Sequence, residues 1–213
     1  MWRTSIPIER GAVALVLVAA LAGAAPDAQT RAGFAGHFNV PRARPSPAPS
    51  ASADAVSDGG FESGNVDGAW FQCGDVPAYV TREHPHSGTY DEYSGTIDGA
   101  SEPLGNSGFC QSIAIPPGGV LTAYLYQLSN EANTSFAYQE ADLLDDRGNV
   151  VVNLYKTANY KPAWVRGTWN LDAYAGHTYW LYFGVHGDGY AKLVTEQFVD
   201  DVMLTGSPSP KGE

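Results

Sequence analysis

From about residue 69 onward, apolar residues come in short runs separated by clusters of Gly, Pro, Asn and Asp. The runs are AWFQC (69–73), AYVTRE (78–83), FCQSIAI (109–115), VLTAYLYQL (120–128), FAYQEADLL (136–144), VVVNLYKT (150–157), AWVRGTWNL (163–171), TYWLYFGVH (178–186) and EQFVDDVML (196–204). They are rich in Val, Tyr, Thr and Phe, the residues that suit a pleated, half-buried surface. IPPGG, LDDRGN and HGDGY between them supply the backbone geometry of tight turns. Period-2 patterning with turns at this spacing predicts an all-β, antiparallel sandwich or barrel. The one helical signal is LDAYAG (171–176), read as a short turn.

Within VLTAYLYQL, Val120, Thr122, Tyr124, Tyr126 and Leu128 share one face, with Leu121, Ala123, Leu125 and Gln127 on the other. Both faces are fairly apolar, so the strand is expected to be covered on two sides. The adjacent Asp200 and Asp201 interrupt EQFVDDVML. One of the two carboxylates must lean toward the interior, where a charge needs a partner.

The first residues carry a different pattern. Arg3 and Arg10 precede an apolar run from Ala12 to Ala22, with small residues at Ala22 and Ala24. This is the layout of a secretory signal peptide, assigned to 1–25, and the run is too short for the roughly 20 residues of a span. The Pro/Ala/Ser-rich stretch that follows, assigned to 26–56, reads as a disordered linker. The β domain is placed at 57–206 and a disordered tail at 207–213. Export to the cell surface, the periplasm or the medium is expected, with no membrane span in the mature chain and a monomeric state.

Five arginines and three acids in residues 1–57 give +2, so the −11 of the whole chain leaves −13 on residues 58–213. A domain this acidic repels a phosphate backbone, and nucleic acid is excluded as a partner. Cys73 and Cys110 are the only cysteines, and in an exported chain they are expected to form a disulfide.

Read in order, DGGFESG (58–64), HSGTY (86–90), SIAIPPGGVLTAYLY (112–126), LLDDRGNVVVNL (143–154), LDAYAGHTYWLYFGV (171–185) and FVDDVML (198–204) resemble secreted bacterial β-jelly-roll modules. The type is carbohydrate-binding or MAM-like (galactose-binding-like). The resemblance covers essentially all of 58–206. It implies two antiparallel sheets, a structural calcium ion near the joined termini and, in some members, a sugar-binding face. Carried onto this chain, the implied calcium ligands are Glu62, Asp200 or Asp201, and carbonyls around Ser87 and Gly88, with Asp58 adding an oxygen. Calcium takes six to eight oxygens, which such a set with water supplies. The competing reading leaves the aspartates to backbone N–H groups or to an arginine such as Arg82, with no metal.

For a sugar, the residue types that matter are aromatic rings and planar polar groups in a concavity. Tyr160 and Trp164 lie in the loop-like ANYKPAW and Tyr190 in HGDGY, where they are free to meet a ligand. Gln127, Gln139, Glu140 and Arg166 are placed to offer hydrogen bonds from sheet faces. No nucleophile elbow, zinc-binding helix or phosphate-cradling loop is present. His84 and His86 read as turn-lining; His186 and Asp188 are distant guesses for a zinc site, and Glu131 and Glu140 for a glycosidase pair. The sequence therefore points to a non-catalytic binding module for a glycan or an extracellular surface protein. The alternatives are a structural or interaction module in cell-surface adhesion and a glycan-active hydrolase.

Overall fold

A computed structural model describes residues 38–41, 54–65, 68–95, 102–190 and 193–206. The signal peptide at 1–25, most of the linker at 26–56 and the tail at 207–213 fall outside these residues. Ten strands are formed among them: β1 (Phe71–Gln72), β2 (Tyr79–Thr81), β3 (Asp91–Gly95), β4 (Leu104–Ala114), β5 (Val120–Ser129), β6 (Tyr138–Leu144), β7 (Val150–Thr157), β8 (Lys161–Asn170), β9 (Thr178–Asp188) and β10 (Thr195–Thr205). The order β1-β4-β9-β6-β7 makes one five-stranded sheet and β2-β3-β10-β5-β8 the other. All strand pairs are antiparallel. The fold is an all-β sandwich, with LDAYAG forming a single 3-10 turn at Asp172–Tyr174.

Burial along β5 alternates without a break, so Leu121, Ala123, Leu125, Gln127 and Ser129 face inward. Leu121 pairs with Leu204 and shares the main core with Phe183, Leu181, Leu143, Ile113 and Val202. The outward Tyr124 and Tyr126 are covered too, by His86 at 3.6 Å and His84 at 4.6 Å between ring centroids. Residues 82–90 thus form a strap across the outer face of the second sheet. Its rings join Trp164, Phe198 and Tyr93 in one aromatic layer.

Three features depart from the sequence reading. DEYSG (91–95), absent from the nine runs above, is β3, held by pairing with β2 and β10. YKPAW is not a loop: β8 starts at Lys161, and Pro162 is tolerated because this strand lies at a sheet edge. Residues inside the stretch assigned to a disordered linker are packed. Phe38 is 3% exposed, stacks at 4.5 Å on Tyr182 and donates its N–H to Gly148. Val56 is buried in the main core. Apolar side chains isolated in a polar stretch carry no periodic signal, so neither anchor was visible beforehand.

Cys73 and Cys110 form the expected disulfide, with Cα atoms 5.8 Å apart. It joins the end of β1 to β4 and packs with Phe38, Leu144, Trp180 and Tyr182 in a second apolar cluster, on the outer face of the first sheet.

Candidate functional site

Beside that cluster, the outer face of β4, β9, β6 and β7 is hollowed into a groove of about 300 Å³. Phe38 and Val150 form its apolar lining, and Asn106, Tyr138, Glu140, Asp142, Asn153 and Lys156 the polar one. Period-2 alternation puts Tyr138, Glu140 and Asp142 on this face of β6. Register then sets Lys156 against Glu140, and, across a bulge, Asn153 against Asp142. Asn153 donates to Asp142 Oδ1 at 2.7 Å, whereas the buried Oδ2 has no partner among the described residues. Tyr138 is held between the His186 ring, stacked at 4.9 Å, and the Lys156 ammonium, 3.4 Å above its centroid. His186 Nδ1 is in turn 2.7 Å from Asn106 Oδ1.

Burial dominates the electrostatics of the groove. Desolvation raises the Glu140 carboxyl, the negative Asp142 raises it further, and Lys156 opposes both. Asp142 is raised by the same desolvation, against the Asn153 hydrogen bond and Lys156. Desolvation and Lys156 lower His186, so its ring is neutral at pH 7. The groove therefore offers carboxyl and amide oxygens, amide N–H groups and one ammonium, beside an apolar wall. This set hydrogen-bonds a neutral polyol in several directions at once.

A second assembly surrounds the paired aspartates. A Cβ placed on Gly60 would lie 3.6 Å from Asp200 Oδ1, 3.7 Å from Asp201 Oδ1 and 3.7 Å from Glu62 Cγ, so both aspartate carboxylates and the stem of Glu62 border that residue, and His86 joins the two aspartates. Asp200 Oδ2 accepts the His86 and Ser87 N–H groups at 2.8 and 3.0 Å, and Oδ1 that of Asp201 at 2.6 Å. Asp201 meets His86 Nδ1 at 2.6 Å and the Ser87 hydroxyl at 2.8 Å. Glu62 Oε1 accepts Thr89 and Tyr90 N–H groups. Gly88 is required here: its φ is +63°, and a Cβ would overlap the Glu62 carboxylate at 2.3 Å. Burial raises Asp200 to about 6 despite those N–H donors. Asp58, Phe61 and Asp201, the only described non-glycine residues with positive φ, all lie in these segments. Strain of this kind collects at ligand sites. The donors fit a hard cation, since each carboxylate has four lone-pair positions and the N–H groups do not fill them all.

A third group lies at one end of the sandwich. Carboxylate oxygens of Glu102, Glu131 and Asp188 are all within 4.8 Å of one another. Burial raises Glu102 to about 8; the Thr195 hydroxyl opposes this, and Asp188 and Glu131 add to it.

The expected site residues divide accordingly. Glu140 lines the groove. Gln127 and Gln139 point into the interior, where Gln127 donates to Gln197 Oε1 at 3.3 Å and Gln139 bonds Asn159 and the Glu196 carbonyl. Trp164 and Arg166 are on β8 of the other sheet, with Tyr160 exposed just before it. Tyr190 is exposed next to β9, away from the groove lining. Glu62, Ser87, Gly88, Asp200 and Asp201 come together; the Asp58 carboxylate instead caps Ser63, through its N–H and hydroxyl. Arg82 pairs with Tyr90 and not with an aspartate. Glu131 and Glu140 belong to different clusters and form no acid pair. Asn106, Asp142, Asn153 and Lys156 escaped sequence reading, and Tyr138 was one aromatic among many. The alternating YQEAD of β6 was the available signal for three of the groove residues.

The architecture is that of β-sandwich carbohydrate-binding modules and adhesin domains. TmCBM61, solved in complex with β-1,4-galactotriose, superposes with a TM-score of 0.50 at 19% identity, covering 73% of this chain and 100% of that module. The K3 adhesin domain of Lys-gingipain from Porphyromonas gingivalis gives 0.51 at 18%, with the same coverage. No protein-family profile matches the sequence, and no curated protein matches it significantly. Among the described residues, no helix is long and apolar enough to cross a membrane.

Proposed function

We propose that this protein is a non-catalytic, exported module that binds a glycan in the groove on the outer face of β4, β9, β6 and β7. The observation that carries this reading is the groove's lining: carboxyl, amide and ammonium groups on rigid strands beside Phe38 and Tyr138. Sugar hydroxyls both donate and accept, and matched polar groups at fixed positions recognise them with orientation. The β-1,4-galactotriose complex of a module with the same fold makes β-1,4-galactan the first glycan to try. Calcium at Glu62, Asp200 and Asp201, with Ser87 and Gly88 alongside, is proposed as a structural ion that neutralises the convergent acids and locks the strap to β10. The leader-like N-terminus and the disulfide support export.

The test is affinity electrophoresis through gels containing β-1,4-galactan and a panel of other polysaccharides. Wild type is expected to be retarded, and Tyr138→Ala and Glu140→Ala to run at least ~10-fold weaker, as loss of one buried directional contact implies. Free migration of folded wild type in every gel would replace the glycan with a protein partner. For calcium, the thermal midpoint is expected to fall in EDTA and return with calcium chloride, and Asp200→Asn to abolish that response.

A further inference from the structure

Glu102, just before β4, and Asp188, the last residue of β9, belong to the first sheet, whereas Glu131 follows β5 of the second. Thr195, which opens β10 of the second sheet, lies beside them. Their carboxylate oxygens lie within 4.8 Å of one another, no farther apart than the width of a calcium shell with bonds of about 2.4 Å. Glu102 is only 2% exposed; neither of its oxygens makes a well-formed hydrogen bond among the described residues, and the Thr195 hydroxyl beside it is a weak donor at best. A buried carboxylate so poorly supplied with donors is among the costliest groups a fold can carry, and a bound cation removes that cost.

The surroundings position these oxygens. The Glu131 N–H donates to Ser129 Oγ at 3.1 Å, and that hydroxyl is 3.1 Å from Thr195 Oγ1. Gly187 gives Glu102 its place against β9: a Cβ there would meet Pro103 O at 2.1 Å and Glu102 Cγ at 3.0 Å. The donors are all oxygen. His186, the nearest imidazole in sequence, has its Nδ1 engaged by Asn106. Oxygen-only donors select a hard cation over zinc, and three protein carboxylates suit calcium better than magnesium, which keeps several waters and is held by one or two carboxylates.

We propose that Glu102, Glu131 and Asp188 form a calcium site that clamps the two sheets together at this end of the sandwich. It is separate from the assembly at Asp200: Thr195 and Asp200 are five residues apart along β10, roughly 16 Å at strand rise. It does not depend on the groove's ligand.

The test counts ions on the whole chain after EDTA treatment, by calorimetric titration with calcium chloride and by equilibrium dialysis. Two ions per chain are expected. Glu102→Gln, which keeps the side-chain shape, and Asp188→Asn should each lower the count by one with an unchanged circular dichroism spectrum, while Asp200→Asn removes the other ion. A count unchanged by both Glu102→Gln and Asp188→Asn, or no calcium binding at all, overturns the proposal. One ion that is lost with Glu102→Gln but kept with Asp200→Asn supports this site and removes calcium from the Asp200 assembly.

Discussion

The interior of the sandwich has two halves built by the same strands. On β5 the inward residues run Leu121, Ala123 and Leu125, then Gln127 and Ser129. On β10, Leu204, Val202 and Val199 give way to Gln197 and Thr195, and on β6, Leu143 and Ala141 give way to Gln139. Register pairs like with like: Leu121 with Leu204, Gln127 with Gln197, Ser129 with Thr195. The apolar half is held by transfer energy and close packing, which ask little of direction. The polar half is held by specific partners: Tyr155 donates to Gln197 Oε1 at 2.5 Å, Gln127 donates to the same atom, and Gln197 reaches Gly184. Every partner there is needed, because an orphaned buried polar group forfeits more than a made bond gains. The polar half also ends at the Glu102 cluster, where an ion has something to bind.

This contrast can be broken by substitution. The largest loss is expected for Leu121→Ala, fully buried in the apolar half: about 3–4 kcal/mol in urea unfolding with an unchanged m-value. A loss below that of an exposed residue would mean the apolar half does not anchor the fold. Tyr155→Phe in the polar half should cost about 1–2 kcal/mol by leaving Gln197 Oε1 one donor short. Glu92 sharpens the comparison through pH. It is fully buried on β3, and desolvation pushes its carboxyl well above the ordinary value of 4.5, with Ser94 opposing and Asp91 adding. The folded state therefore binds the proton more tightly than the unfolded one. Its stabilising effect is complete below about pH 4.5 and is lost progressively as pH rises through the folded value. Glu92→Gln should flatten that slope, melting a few degrees above wild type at pH 8 and level with it in acid. The reverse order in a pH series of melting curves would show Glu92 to be paired as an anion. Smallest of all, Arg166→Ala and Tyr160→Ala, both exposed, should change stability by less than about 0.5 kcal/mol and leave polysaccharide retention intact.

Much of this was legible beforehand, and the exceptions have physical causes. Nine strands and the Cys73–Cys110 bridge follow from patterns that sit close together or at the ends of a recognisable order. Gln127 and Gln139 misled because polarity alone places a side chain outward, yet here the tyrosines of β5 face out and the glutamines in. What decides the parity is the strap carrying His84 and His86, and nothing local in VLTAYLYQL encodes it. The groove lining draws on β4, β6, β7 and Phe38, and Glu102, Glu131 and Asp188 are spread over 87 positions. Such convergence exists only once register and topology are fixed.

The strap has one further consequence. With His84 and His86 bedded on Tyr126 and Tyr124, the outward tyrosines of β5 are already covered by the protein's own imidazole rings. The two broad sides of the molecule are thus not equivalent: one carries a strap over its outward tyrosines, and the other is hollowed into the groove. On the proposed glycan reading, a polymer would lie along the first sheet like a cable in a channel, with the strapped side of the domain turned away.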